Sequence, residues 1–180
     1  PTQPAGLSIS LPAPLYFLSE VAGNTQIWQL SQDGSSLSPV TSEQAPVTAF
    51  DVSPKDGQLA YLSNNALIVA DAAGSDRRIL VTGEALPGID DPTYASKALN
   101  SPVWSPDGTK IAFAQDGIKI IELLTNEVRS ITPNQYSPAP ARIYAPLSWS
   151  PDGTRLAVSV AQASCASLGF VSAVGGDSLT

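Results

Sequence analysis

The stretch SPVWSPDGTKIAFAQDG occupies residues 101–117, and PLSWSPDGTRLAVSV repeats it at 146–160. A looser copy, AFDVSPKDGQLAYLS, lies at 49–63. The serines that open the shared phrase, Ser53, Ser105 and Ser150, stand 52 and 45 residues apart. A second marker is a threonine that closes each unit, at Thr41, Thr82, Thr132 and Thr180, spaced 41, 50 and 48 residues apart. A period in the forties, filled with short apolar strands and tight turns, is the size of a four-stranded propeller blade.

Each unit reads as strands bounded by turn residues. In the second, VTAFDVS, QLAYLS, ALIVADA and RRILVT are separated by Asp56-Gly57, Asn64-Asn65 and Gly74. Branched and aromatic residues favour the pleated surface, and Gly, Asn and Asp take the turns. The third unit reads SPVWS, TKIAFAQ, IKIIEL and VRSIT; the fourth reads APLSWS, TRLAVSV, LGFVSAV and DSLT. The first has only three strands, PLYFLSE, TQIWQLS and SLSPVT, and lacks the innermost one. In Ser-Pro-Asp-Gly the proline presets φ at about −65°, the carboxylate caps the turn, and glycine supplies positive φ. Asp56, Asp107 and Asp152 are therefore read as turn residues. A calcium site needs many oxygens converging on one point, and these fall one per unit. Trp104 and Trp149 are expected to fill the gap between neighbouring blades. Ala60, Ala112 and Ala157 are expected to let sheets approach closely.

The Trp-Ser-Pro-Asp-Gly phrase, followed by Ile or Leu and then Ala, resembles the repeat of the TolB-like, WD-repeat-related β-propellers of bacteria. Trp104–Phe113 and Trp149–Val158 carry the resemblance, with Val52–Tyr61 as the looser copy. It covers residues 15–180 and implies an all-β propeller of four-stranded antiparallel blades. About four blades are expected here, within a ring of about six to eight. The expected units are 15–41 (a partial blade), 47–82, 101–132 and 143–180. Residues 1–14 are expected to be a Pro-rich linker or, through GLSISLP at 6–12, a lone strand. Bare blade faces on an open arc imply completion by the rest of the chain or by another subunit.

Composition narrows the function. The 180 residues carry a formal charge of −7, which gives no electrostatic footprint for nucleic acid or anionic membranes. There is no His and a single Cys, Cys165. An ordinary Ser-His-Asp triad, a Cys-based zinc site and an internal disulfide are thereby excluded. Cys165 reads as a small buried or half-buried hydrophobe. No Gly-x-Ser-x-Gly elbow, phosphate loop or dinucleotide fingerprint occurs, and no apolar run is long enough to span a membrane. No catalytic residue, metal or cofactor is expected.

Two connections exceed what a turn requires, residues 83–100 and 133–146. Both join an outer strand to the next inner strand, so both are expected on one face, where long loops on a rigid scaffold bind partners. Asp90, Asp91 and Tyr94 in the first, and Tyr136, Arg142 and Tyr144 in the second, are the candidate contacts, Tyr and Arg being favoured interface anchors. The expectation is a non-catalytic module of the bacterial cell envelope, periplasmic, surface-bound or extracellular, that binds or scaffolds another protein. Two alternatives stand beside it: the substrate-gating propeller of a prolyl-oligopeptidase-type serine peptidase, and a propeller that binds glycans or small ligands.

Overall fold

The computed structural model describes residues 10–137, 141–162 and 165–175. It is all-β, with four antiparallel sheets of three or four strands, as expected for part of a β-propeller. The chain divides into two compact units, residues 1–47 and 48–180.

The first unit holds sheet 1: β1 (Leu15–Val21), β2 (Asn24–Leu30) and β3 (Leu37–Pro39), in that order. Val21 and Asn24 close the first hairpin around Ala22-Gly23, both with positive φ. Beyond β3, Thr41 accepts the Ile27 amide on its hydroxyl at 2.9 Å, so a side chain extends the ladder where strand pairing stops. Gln26 exchanges two hydrogen bonds with the Glu43 backbone, at 2.9 and 3.0 Å. Of the stretch 6–12, residues 6–9 lie outside the described residues; the Leu11 amide donates to Gln32 O at 2.7 Å.

The second unit contains the repeats. Sheet 2 is β4 (Val47–Val52), β5 (Leu59–Ser63), β6 (Ala66–Ala70) and β7 (Arg78–Thr82). A single helical turn, α1 (Tyr94–Lys97), follows within what the sequence presents as loop. Sheet 3 is β8 (Asn100–Trp104), β9 (Lys110–Ala114), β10 (Gly117–Glu122) and β11 (Val128–Pro133). Sheet 4 is β12 (Ile143–Trp149), β13 (Arg155–Gln162) and β14 (Cys165–Ser172). Its third strand begins three residues before the expected Leu168. The expected outer strand at 177–180 lies outside the described residues. Every sheet is a meander in chain order. Cys165 departs from its expected burial: it opens β14 as an exposed free thiol.

Period-2 alternation gives each strand two faces. Ala60, Leu62, Leu67 and Val69 of sheet 2 pack against Trp104, Ile111, Phe113 and Ile121 of sheet 3. Ala112, Ile118, Ile120 and Ile131, on the other side of sheet 3, pack against Tyr144, Leu156, Val158, Val160 and Val171 of sheet 4. Sheet 3 is thus covered on both faces. Each fully buried branched side chain contributes about 1.5–3 kcal/mol to that stack. Ala60 and Ala112 are fully buried at the sheet interfaces, in keeping with close approach. The inner strands are also linked by polar groups. Asp51 Oδ2 accepts the Trp104 amide at 2.7 Å, and the Trp149 indole donates to Val103 O at 3.1 Å.

Candidate functional site

The sheets of the second unit have two ends with different chemistry. At one end lie the Ser-Pro-Asp-Gly turns. Ser105 donates its hydroxyl to Asp107 at 2.6 Å, the Thr109 amide donates to the same carboxylate at 3.0 Å, and the Lys110 amide closes on the Ser105 hydroxyl at 2.9 Å. Ser150, Asp152, Thr154 and Arg155 repeat this at 2.6, 3.0 and 2.9 Å. Gly108 and Gly153 take the positive φ that the turn needs, +67° and +69°. Sheet 1 carries the same device, not evident from the sequence, in Ser31-Gln32-Asp33-Gly34: Ser31 donates to Asp33 at 2.6 Å and the Ser35 amide at 3.0 Å. There it joins β2 to β3 rather than the first strand to the second. The serine hydroxyl in each turn holds Asp33, Asp107 and Asp152 down to about 2. These carboxylates are occupied by their own turns. Among the described residues, no group of three or more His, Cys, Asp or Glu converges to hold a metal.

Between the inner strands near this end, Asp51, Val52, Trp104, Leu147 and Trp149 line a mostly apolar cleft of about 370 Å³. Burial raises the Asp51 carboxyl above its ordinary value, against the opposing pull of the Trp104 amide.

At the opposite end the long connections are held by turn residues. Asn65, in the left-handed region (φ 53°), accepts the Gly83 amide on its carbonyl at 2.9 Å. Its side chain donates to Glu84 O at 2.8 Å and Lys97 O at 3.1 Å, and accepts the Leu99 amide at 2.8 Å. One side chain therefore ties both feet of the 83–100 connection, and the Lys97–Glu84 ion pair at 3.2 Å joins them again. Asp116 has the matching role in sheet 3. Its carbonyl accepts the Asn134 amide, and its carboxylate accepts the Tyr136 hydroxyl at 2.8 Å. Asn134 donates to the Tyr136 oxygen at 3.2 Å and accepts the Tyr144 amide at 2.9 Å. Partial burial raises the Tyr136 phenol above its ordinary value, and the hydrogen bond to Asp116 adds to this. A hollow of about 220 Å³ opens beside this network, lined by Ala95, Asn100, Asp116, Asn134 and Tyr144 among others.

The six candidate contacts divide. Tyr136, 49 % exposed, and Arg142 both present side chains to solvent, on backbone locked by the reciprocal Gln135–Arg142 bonds at 2.9 and 2.7 Å. Asp90 is exposed. Asp91 is exposed too, but its carboxylate is held below its ordinary value by the Thr93 hydroxyl at 2.6 Å and amide at 2.8 Å, at the entry to α1. Tyr94 is half-buried as the first residue of α1. Tyr144 departs from the expectation of a loop contact. It is 1 % exposed, because β12 begins at Ile143 and turns the ring into the core between sheets 3 and 4. Sequence reasoning overlooks Asn65, Asp116 and Asn134 as anchors, although Asn64-Asn65 and Asp116-Gly117 read as turns. It also overlooks Ile89, 78 % exposed in the first connection.

Comparisons with known proteins agree with this architecture. Residues 15–144 match the family model for the dipeptidyl peptidase IV (DPP IV) N-terminal region, itself a propeller family. An uncharacterized protein of Agrobacterium fabrum is 28 % identical over 104 residues, covering 56 % of this chain and 36 % of the relative. A solved structure assigned as TolB from Agrobacterium tumefaciens superposes with a TM-score of 0.64 at 19 % identity, over 92 % of this chain and 59 % of the other. Dipeptidyl peptidase 4 of Porphyromonas gingivalis superposes with a TM-score of 0.54 at 12 % identity, over 88 % of this chain and 29 % of the other. The chain thus spans little more than a third of that curated relative and about three-fifths of the TolB structure. With the matched region covering most of its length and four blade-type sheets in its structure, the chain belongs to the DPP IV N-terminal region family and has a TolB-like β-propeller fold.

Proposed function

We propose that this chain is a non-catalytic propeller module that binds a protein partner through the loop end of its sheets, in the bacterial cell envelope or at the cell surface. The observation that carries this reading is the way Asn65, Asp116 and Asn134 hold the two long connections. Tyr136, Arg142, Asp90 and Ile89 are thereby displayed on loops anchored to the sheets. Aromatic, arginine and aliphatic side chains on a fixed backbone make an interface without a large ordering cost. Absence of His from the chain, and the internal bonding of the turn carboxylates, leave little apparatus for general acid–base chemistry.

The test is site-specific photocrosslinking in the native host, with the probe at Ile89 or Tyr136 on the loop end and at Pro106 or Pro151 on the turn end. The expected result is a defined protein adduct from the loop end and none from the turn end. Adducts from the turn end alone would reject the assignment. Shortening the first connection is a second test. Leu99 is buried and Lys97 is gripped by Asn65, so only residues 85–95 are to be replaced by a short Gly/Ser turn. Folding is expected to survive and partner binding to be lost; unchanged binding would remove that connection from the interface.

A second reading rests on the family match: the blades form the propeller part of a larger serine peptidase. It requires a hydrolase domain with a Gly-x-Ser-x-Gly elbow encoded in the same gene. It also requires peptidase activity that is lost with that serine. An open reading frame without such a domain removes it.

A further inference from the structure

The inner strands β4, β8 and β12 carry equivalent positions two residues before each turn serine: Asp51, Val103 and Ser148. All three line the cleft of about 370 Å³ near the turn end. The repeat does not demand a carboxylate there, since a valine and a serine serve in the other two strands. Contact between inner strands does not demand one either. The Trp149 indole on Val103 O links β12 to β8 through neutral groups, where Asp51 and the Trp104 amide link β8 to β4. An asparagine oxygen would accept that amide without bringing charge into apolar surroundings, which is costly unless the charge is paired. The groups that hold Asp51 are two backbone amides, of Trp104 and Val52, and no cation is among them. An ionised carboxylate has about four acceptor positions, so these amides leave part of its capacity unused.

The walls of the cleft select the occupant. Trp149 is held in place by its indole bond to Val103 O, and Leu147 is 47 % exposed beside it. A negative charge next to an indole ring complements a cation. A primary ammonium brings three N–H donors, each of which needs an acceptor. A methylated ammonium brings methyl groups instead, which apolar walls and an aromatic ring cover without hydrogen bonds. The cleft offers one carboxylate and mostly apolar walls, so it matches the second kind of cation. We propose that this cleft binds a small methylated ammonium compound, its charge beside Asp51 and its methyl groups against Trp149 and Leu147. The cleft has the size of small-ligand sites. The proposal is independent of the protein-binding role of the loop end, because the two lie at opposite ends of the sheets.

The experiment titrates the protein expressed from its own gene with choline, following the indole N–H resonance of Trp149 by NMR. The resonance is assigned through Trp149→Phe. Two compounds of similar size serve as comparisons: dimethylbutanol, the uncharged carbon isostere of choline, and ethanolamine, its primary-amine counterpart. Choline is expected to shift the resonance saturably and to bind more tightly than either by about tenfold or more. Asp51→Asn is expected to abolish the preference for choline over the isostere. Equal affinity for choline and the isostere, tighter binding of ethanolamine, or a preference that survives Asp51→Asn would each overturn the proposal. So would tighter binding of a trimethyl-lysine peptide than of choline, which would assign the cleft to a protein side chain. If Asp51→Asn fails to fold, the three-compound comparison on the unmodified protein decides alone.

Discussion

The turn end and the loop end of the second unit join strands with different degrees of freedom: Ser-Pro-Asp-Gly turns link paired strands within one sheet, while the long connections carry the chain from the outer strand of one sheet to the inner strand of the next. At the turn end one set of atoms recurs: a serine hydroxyl, an aspartate oxygen and two amides, with matching distances in sheets 3 and 4. At the loop end the anchoring position recurs but its chemistry does not. In sheet 2 the amide side chain of Asn65 holds the connection directly. In sheet 3 the carboxylate of Asp116 holds it through a tyrosine hydroxyl. Repetition marks what the scaffold requires, and variation at a fixed anchor marks where a protein can acquire a partner while keeping its fold.

Substitutions can break this contrast. The largest effect is expected at Gly117, beside the Asp116 anchor. Its φ is +108°, and a Cβ there would meet Thr132 O and the Pro133 Cα, backbone atoms that cannot step aside. Gly117→Ala is expected to cost more than about 2 kcal/mol in urea unfolding. At the turn end the corresponding glycine is more forgiving: a Cβ on Gly108 meets side chains alone, Lys55 at 3.1 Å and the Ser53 hydroxyl at 3.4 Å, and Gly108→Ala should cost about 1–2 kcal/mol through its positive φ. Equal losses at the two glycines would show that backbone conformation alone sets the cost.

Next is Asn65→Ala, which removes three side-chain bonds to the 83–100 connection. A loss of about 1–3 kcal/mol is expected, with amide exchange rising in residues 84–99 while the Ser105-Gly108 turn stays protected. Asp107→Asn should cost about 1 kcal/mol or less, since the turn is solvated. Its pH dependence is the sharper test. A carboxyl held near 2 in the folded state and at about 3.8 when unfolded stabilises fully above the higher value. That contribution fades as pH falls through the lower one. The stability gap between wild type and Asp107→Asn should therefore be constant above about pH 5 and close on approach to pH 2. Asp51, raised by burial, has the opposite sign: acidification favours its folded form, so wild type should gain stability relative to Asp51→Asn as pH falls toward the carboxylate range. The smallest effect on stability is expected from Tyr136→Phe, within about 0.5 kcal/mol at this exposed site. Partner capture through the loop end should fall all the same.

Much of the architecture was legible because it depends on short apolar runs and on turn residues that local physics dictates. The apolar runs in 58–72 and 109–122 are buried at nearly every position, as strands covered on both faces are, and Asn64-Asn65 and Asp116-Gly117 break each run into two strands. The site was less legible because it depends on tertiary partners. Tyr144 looked like a loop aromatic until β12 placed it in step with the buried Pro146. A four-residue helix such as α1 carries almost no periodic signal, and its entry is fixed by Asp91 contacts of one side chain. Asn65 was visible as a turn residue, but nothing local says that its side chain reaches Leu99, 34 residues on.

Trp28, Trp104 and Trp149 lie one each in sheets 1, 3 and 4, and sheet 2 has none. The molecule therefore carries its own optical labels. Trp104 sits in the core between sheets 2 and 3 with its amide on a carboxylate, while Trp149 is only partly buried, its indole holding Val103. Emission from the first should shift to the red only when those two sheets part. Emission from the second should report the separation of sheets 3 and 4. With Trp28 replaced by Phe, and then either of the others, the order in which the sheets come apart could be read from the colour of the light.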